Sequence, residues 1–148
     1  MNTTPNFLIV GNGRTAKHFS RYLNLLGHSH LSWNRSDSVH HLQNKALLSS
    51  HIIILINDNQ IDPFIEKHQF EHIGKTLVHF SGALNSKYAH SAHPLMTFDH
   101  SMYDLQTYQK ILFVCTSDSL SFANLLPSIP NKHIFIPKES KSHYHAMC

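Results

Sequence analysis

The stretch Phe7-Leu8-Ile9-Val10-Gly11-Asn12-Gly13-Arg14-Thr15-Ala16 constrains this chain more than any other. Four apolar residues without polar interruption read as a strand covered on both faces. The run breaks at two glycines and continues as a helical pattern. A buried strand that turns through Gly11 into a helix leaves backbone N–H groups and a helix N-terminus open to an anion. Gly13 removes the Cβ that would keep a pyrophosphate at a distance. Ala16 stands in the third small position, where it lets the helix pack closely on the strand. The stretch therefore reads as the phosphate-binding turn of a nucleotide domain, with Gly11, Asn12, Gly13, Arg14 and Thr15 as candidate contacts. Arg14 reads equally as a phosphate contact or as an exposed first-turn residue. A G-x-G-x-x-A match is weak alone and gains from the strand before it and the helix after it.

From Arg14 to about Leu26 the apolar positions Ala16, Phe19, Tyr22, Leu23 and Leu26 fall three and four apart, one helical stripe that Gly27 stops. A second strand, Ser29 to Trp33, ends in Asn34-Arg35-Ser36, where a dinucleotide fold addresses the adenosine ribose. NAD-binding domains place an acid there, whereas a 2′-phosphate needs cationic donors. Asn34, Arg35 and Ser36 thus favour NADP over NAD. The alternative leaves Arg35 solvated and makes Ser36 the cap of the next helix.

That helix is expected from about Asp37 to Leu48, with Val39, Leu42, Ala46 and Leu47 inward. His51 to Ile56 reads as the central strand, because Ile52-Ile53-Ile54-Leu55-Ile56 is β-rich, uninterrupted and too short for a membrane span. Asn57 and Asp58 follow at the carboxyl end of this strand, where open α/β sheets bind ligands. Asp58 or Asn59 also suits a cap for a helix from about Ile61 to His68. Further strands are expected at Thr76 to Phe80, Ile111 to Thr116 and His133 to Ile136, with a helix from about Ser119 to Leu126. Alternating strands and helices predict an α/β fold, Rossmann-type and doubly wound, with a mainly parallel sheet and helices on both faces.

At 148 residues and 17.0 kDa, with 41% hydrophobic residues, the chain suits one domain with a real core. Twelve Lys and Arg against nine Asp and Glu give a net charge of +3, too mild and too scattered to argue for nucleic acid. Two cysteines, Cys115 and Cys148, offer no disulfide framework. With no basic leader and no long apolar segment, the chain is expected to be cytoplasmic and away from membranes. Fifteen histidines raise the question of a metal. His68-x-x-x-His72 and His143-x-His145 have chelating spacings, but neither has a third ligand in a recognised pattern. No metal is expected, and most histidines read as solvated.

Val78-His79-Phe80-Ser81-Gly82-Ala83, His93-Pro94-Leu95-Met96-Thr97-Phe98 and Lys141-Ser142-His143-Tyr144-His145-Ala146 follow the glycine turn in order. With Asn34-Arg35-Ser36 and Asp58 they give the chain a resemblance to Rossmann-like proteins that carry a second, helical domain of unknown function. These are grouped with 6-phosphogluconate, pyrroline-5-carboxylate and prephenate enzymes of the dehydrogenase and reductase type. The resemblance implies an NADP-binding domain over residues 1–137, the start of a helical segment over 138–148 cut short at Cys148, and a homodimer. It implies an oxidoreductase acting on a small, unidentified molecule. His93 resembles a His-Pro element at the substrate side, and also suits a rigid X-Pro turn. Ser81 suits either a substrate or carboxamide contact or a strand end. Lys141 resembles the lysine opening a Lys-x-x-x-Asn motif, although His145 stands in the asparagine position. The alternative reading is a non-catalytic nucleotide-binding or dimerisation module.

Overall fold

The computed structural model describes residues 6–116 and 120–141. The Tyr144-His145-Ala146 block, the His143/His145 pair and Cys148 lie outside the described residues. Seven strands form one sheet among the described residues: β1 (Phe7–Val10), β2 (His30–Trp33), β3 (His51–Ile54), β4 (Thr76–His79), β5 (His90–Pro94), β6 (Phe113–Thr116) and β7 (His133–Ile136). Their order is β2-β1-β3-β4-β5-β6-β7. All pairings are parallel except β5 with β6, so β6 and β7 run against the other five. The α/β, mainly parallel fold expected from the sequence is the fold observed.

Strand register shows why the sheet is wound on both faces. Phe7, Ile9, Ile53 and Val78 point to one side and join Ala16, Phe19, Tyr22 and Leu23 of helix α1 (Arg14–Leu25) in one core. Leu8, Val10, Ile52, Ile54 and Leu77 point to the other and meet Leu42 and Ala46 of α2 (Val39–Leu48) and Ile61 and Ile65 of α3 (Asp58–His68). A strand that alternates between two apolar layers must be apolar throughout, which is what β1 is and what β3 is after its opening His51. The short helices α4 (Leu105–Gln109) and α5 (Phe122–Leu125) add Tyr108, Phe122 and Leu125 to the α1 layer.

Helix α1 ends at Leu26 with Gly27 at a φ of +79°. The Gly27 N–H donates to Asn24 O at 3.0 Å and His28 N–H to Leu23 O at 2.8 Å, the two bonds of a Schellman stop. Gly27 therefore does what its place in the sequence suggests.

Several expectations are corrected. Helix α2 starts at Val39, and its cap is Ser38, whose Oγ accepts from His41 N–H at 3.2 Å; Ser36 caps nothing. Val39 and Leu47, expected inward, are 50% and 63% exposed, because only Leu42 and Ala46 face the sheet. Helix α3 starts at Asp58 rather than near Ile61, so neither Asp58 nor Asn59 is its cap. Strand β5 arises from His90–Pro94, which carries too many histidines to read as a strand. His68 ends α3, Gln69 turns through a left-handed φ of +56°, and His72 falls in a separate 3-10 turn. His68 and His72 thus share no helical face. Most histidines were expected to be solvated; His18, His51, His68 and His79 are exceptions and lie buried.

Candidate functional site

In a sheet ordered β2-β1-β3, successive crossovers leave β1 in opposite directions, and a crevice opens at the carboxyl ends of β1 and β3. Gly11 sits at that point. Its N–H donates to Trp33 O at 2.9 Å, and Leu55 N–H donates to Val10 O at 2.8 Å, so the turn is tied to both flanking strands. Gly11 has a φ of +127°, and a Cβ there would lie 2.2 Å from Leu55 O. Only glycine fits.

Gly13 is glycine for a different reason. Its φ of −82° suits any residue, and a Cβ built on it meets nothing within 4 Å. The protein itself makes no demand for glycine here. Gly13 caps α1 without a side-chain hydrogen bond, and the first turn holds no acid. The opening N–H groups of α1 therefore lack a side-chain acceptor and present the positive end of the helix dipole.

One cleft of about 1020 Å³ takes in Gly11, Asn12, Gly13, Arg14, Thr15, Asn34, Arg35, Ser36, Asn57, Asp58, Ser81 and His93. Twelve of the thirteen residues singled out in the sequence thus share one cavity; Lys141 does not line it.

After β2, Asn34 organises its own turn. Its Oδ1 accepts from Ser36 N–H at 2.9 Å, its N–H donates to Asp37 Oδ2 at 3.1 Å, and its carbonyl accepts from Asp37 N–H at 2.8 Å. Asp37 is a carboxylate at this turn that the sequence reading overlooked; one of its oxygens is held by the backbone. Arg35 is exposed and has no hydrogen-bond or ion-pair partner among the described residues. Arg14, at the first position of α1, reaches across to the segment after β5. It donates to Phe98 O at 3.2 Å and meets His100 Nε2 at 3.0 Å. Three turns of that helix face do the same work, because His18 Nε2–H donates to Asp99 O at 2.7 Å and Arg21 Nε–H to Tyr103 O at 3.0 Å. Residues 98–103 are thereby fixed over α1, and Met96 and Phe98 form an apolar wall of the cleft.

At the β4 and β5 end the polar groups bind one another. Ser81 Oγ donates to Asp58 Oδ2 at 2.6 Å and accepts from Ala83 and Leu84 N–H at 3.2 and 3.0 Å. A hydroxyl has one donor and two lone pairs, so Ser81 is fully engaged. His93 Nδ1–H donates to Phe80 O at 2.9 Å, which fixes the proton on that nitrogen. Lys141 is 2% exposed; its Nζ donates to Leu84 O and, at 2.6 Å, to Ser91 Oγ. Burial lowers its pKa to about 8, Asp58 opposes that shift, and Lys138 adds to it.

His79, which sequence reading did not single out, lies fully buried behind this wall. Its Nδ1 accepts from Ser81 N–H at 3.1 Å, and its Nε2 has no hydrogen-bond partner among the described residues. Burial first, then the nearby Lys141, His93 and His90, lower its pKa to about 3. A histidine inside the otherwise apolar run Leu77-Val78-His79-Phe80 was the signal available for it.

No group of three or more His, Cys, Asp or Glu is arranged to hold a metal among the described residues. Nor is any described helix long and apolar enough to cross a membrane.

No protein-family model matches the sequence, and no curated protein does. Solved structures match the fold. An imine reductase from Aspergillus terreus in complex with NADPH4 superposes with a TM-score of 0.65 at 14% identity, over 99% of this chain and 60% of that one. A prephenate dehydrogenase from A. aeolicus in complex with hydroxyphenyl propionate and NAD+ gives 0.70 at 12% identity, over 93% and 62%. A NADH-preferring ketol-acid reductoisomerase from an uncultured archean gives 0.67 at 9%, over 96% and 54%. At such identities the likeness is one of fold, and the chain spans less than two thirds of each neighbour's length.

Proposed function

We infer that this chain is the NADP-binding part of an oxidoreductase that transfers hydride to or from a small carbonyl, imine or hydroxy acid. The observation that carries the reading is Gly13: a glycine that the fold does not require, at an uncapped helix N-terminus, opening into a cleft at the sheet's switch point. Backbone N–H groups of residues 13–15 would hold a pyrophosphate there. Asn34, Arg35 and Ser36 would address the adenosine side, where the unpaired Arg35 favours a 2′-phosphate and Asp37 is already engaged with Asn34. Asn57 and Asp58 border the middle of the cleft. When bound, the nicotinamide supplies or accepts the hydride. His93, whose Nδ1 proton is held on Phe80 O, would stand at the substrate side of the cleft. Ser81 holds Asp58 in place, and Lys141 braces the Ser81–Leu84 turn from behind.

The same reading places the chain with the Rossmann-like proteins it resembles, as a cytoplasmic homodimer. Its bound fold neighbours carry NADPH4 or NAD+, which supports a nicotinamide dinucleotide. A second reading, a nucleotide-binding module without turnover, is favoured by the engagement of Ser81 and the withdrawal of Lys141 from the cleft. Sustained hydride transfer by this chain would exclude it.

Calorimetric titration with NADPH and NADH tests the main reading. NADPH is expected to bind more tightly, and Arg35→Glu to weaken NADPH while leaving NADH unchanged. Absence of binding by either at millimolar concentration overturns it.

A further inference from the structure

A second cavity, of about 440 Å³, lies on the other side of the Gly11–Asn12 turn, between α1 and the edge strand β2. It shares Gly11, Asn12 and Asn34 with the large cleft, but Lys17, Arg21 and Asn24 of α1 line this cavity alone. No carboxylate lines it. The side chains of Asn12, Lys17 and Asn24 have no hydrogen-bond partner among the described residues, and Arg21 commits only its Nε, to Tyr103 O.

The charge pattern of α1 makes this more than a solvated face. The helix RTAKHFSRYLNL carries three cations and no acid. Lys17 and Arg21 stand four residues apart, a like-charge spacing that costs a helix stability, and Arg14 adds a cation at the end where the dipole is already positive. Nothing on the helix offsets these charges. An arrangement that costs the isolated fold and leaves its donors unspent in a concave surface is suited to an anion.

We propose that the groove between α1 and β2 is a phosphate-monoester site, with Lys17 as its principal cation, Arg21 as its second, and Asn12 and Asn24 as neutral donors. Two sources supply that chemistry: the 2′-phosphate of a dinucleotide whose ribose lies at the shared Asn34, or a separate phosphorylated molecule. The first source rests on the dinucleotide reading above but moves the 2′-phosphate from Arg35 into the groove; the second does not rest on it.

Inorganic phosphate titrated into the ¹⁵N-labelled chain tests the site. The Asn24 side-chain amide, which borders only the groove, is expected to shift saturably. Lys17→Gln is expected to weaken phosphate about tenfold, the loss of one charge-assisted bond, and Lys132→Gln, an exposed lysine that borders neither cavity, to leave it unchanged. Lys17 is exposed and its side chain makes no hydrogen bond among the described residues, so the variant keeps its fold. An unmoved Asn24 amide, or a Lys17→Gln titration matching wild type, overturns the proposal. Competition then identifies the source. Phosphate that displaces NADPH and leaves NADH bound assigns the groove to the 2′-phosphate. Phosphate that binds alongside both assigns it to a separate ligand. If neither dinucleotide binds while the Lys17-dependent phosphate shift persists, the groove stands and the dinucleotide reading falls.

Discussion

The two ends of the large cleft are built on opposite principles. At the β1 and β2 end, Gly13 faces open space, α1 begins without a side-chain cap, and Asn12 and Arg35 have no partner among the described residues. At the β4 and β5 end, Ser81 spends its donor and both lone pairs, His93 is pinned to Phe80 O, and Lys141 lies buried behind the wall. Spent donors hold a shape, while exposed unspent ones stay open to water or to a ligand. The first end keeps its donors open, as the proposed dinucleotide site requires. The second has spent its polar groups on its own turn.

Substitutions can break this comparison, and the largest effect belongs to Gly11. Gly11→Ala forces a Cβ to 2.2 Å from Leu55 O at a positive φ and is expected to cost about 3 kcal/mol or more, or to prevent folding. Urea unfolding measures it; a mild loss would mean that the turn relaxes.

Next comes Lys141, whose pKa falls from 10.5 to about 8 on folding. Below about 8 the lysine is charged in both states and the fold bears the full cost of burying it. Between about 8 and 10.5 the unfolded chain binds more protons than the folded one, so stability rises with pH, and above that window the gain is complete. Wild type is therefore expected to gain roughly 3 kcal/mol relative to Lys141→Met across the window. A flat difference between the two pH-stability curves would place Lys141 in water.

Ser81→Ala removes one charge-assisted donor and the acceptor of two amides, an expected loss of about 2 kcal/mol in unfolding free energy. Should stability hold while only substrate turnover falls, Ser81 belongs to the chemistry and not to the wall. The smallest effect on stability is assigned to Gly13→Ala, about 1 kcal/mol or less, since φ and space both accept alanine. The same variant is expected to weaken NADPH about tenfold, because its methyl stands where a phosphate would approach.

Legibility in the sequence divides along a similar line. Strand β1, helix α1 with its Gly27 stop, and β3 were readable because each is a continuous apolar run or a clean helical stripe. The cleft residues were readable because they follow from the glycine turn and from the carboxyl ends of β2 and β3. Strand β5 was not, since His90-Ser91-Ala92-His93-Pro94 is neither a continuous apolar run nor a clean alternation, and it ends in a proline. Nor was the burial of His18, which depends on Asp99 O and the Tyr108 hydroxyl, 81 and 90 residues away. Asp37 was hidden by proximity: it stands just past the Asn34-Arg35-Ser36 turn and joins it through a backbone bond that no pattern announces.

NADPH titrated into the ¹⁵N-labelled chain tests directly whether a dinucleotide enters at the glycine turn. The backbone amides of Gly13, Arg14, Thr15, Asn34 and Arg35 are expected to shift saturably while those of Ala83 and Leu84, held on Ser81 Oγ, stay in place. Unmoved amides at the glycine turn, or shifts confined to the Ser81 wall, would contradict the dinucleotide reading.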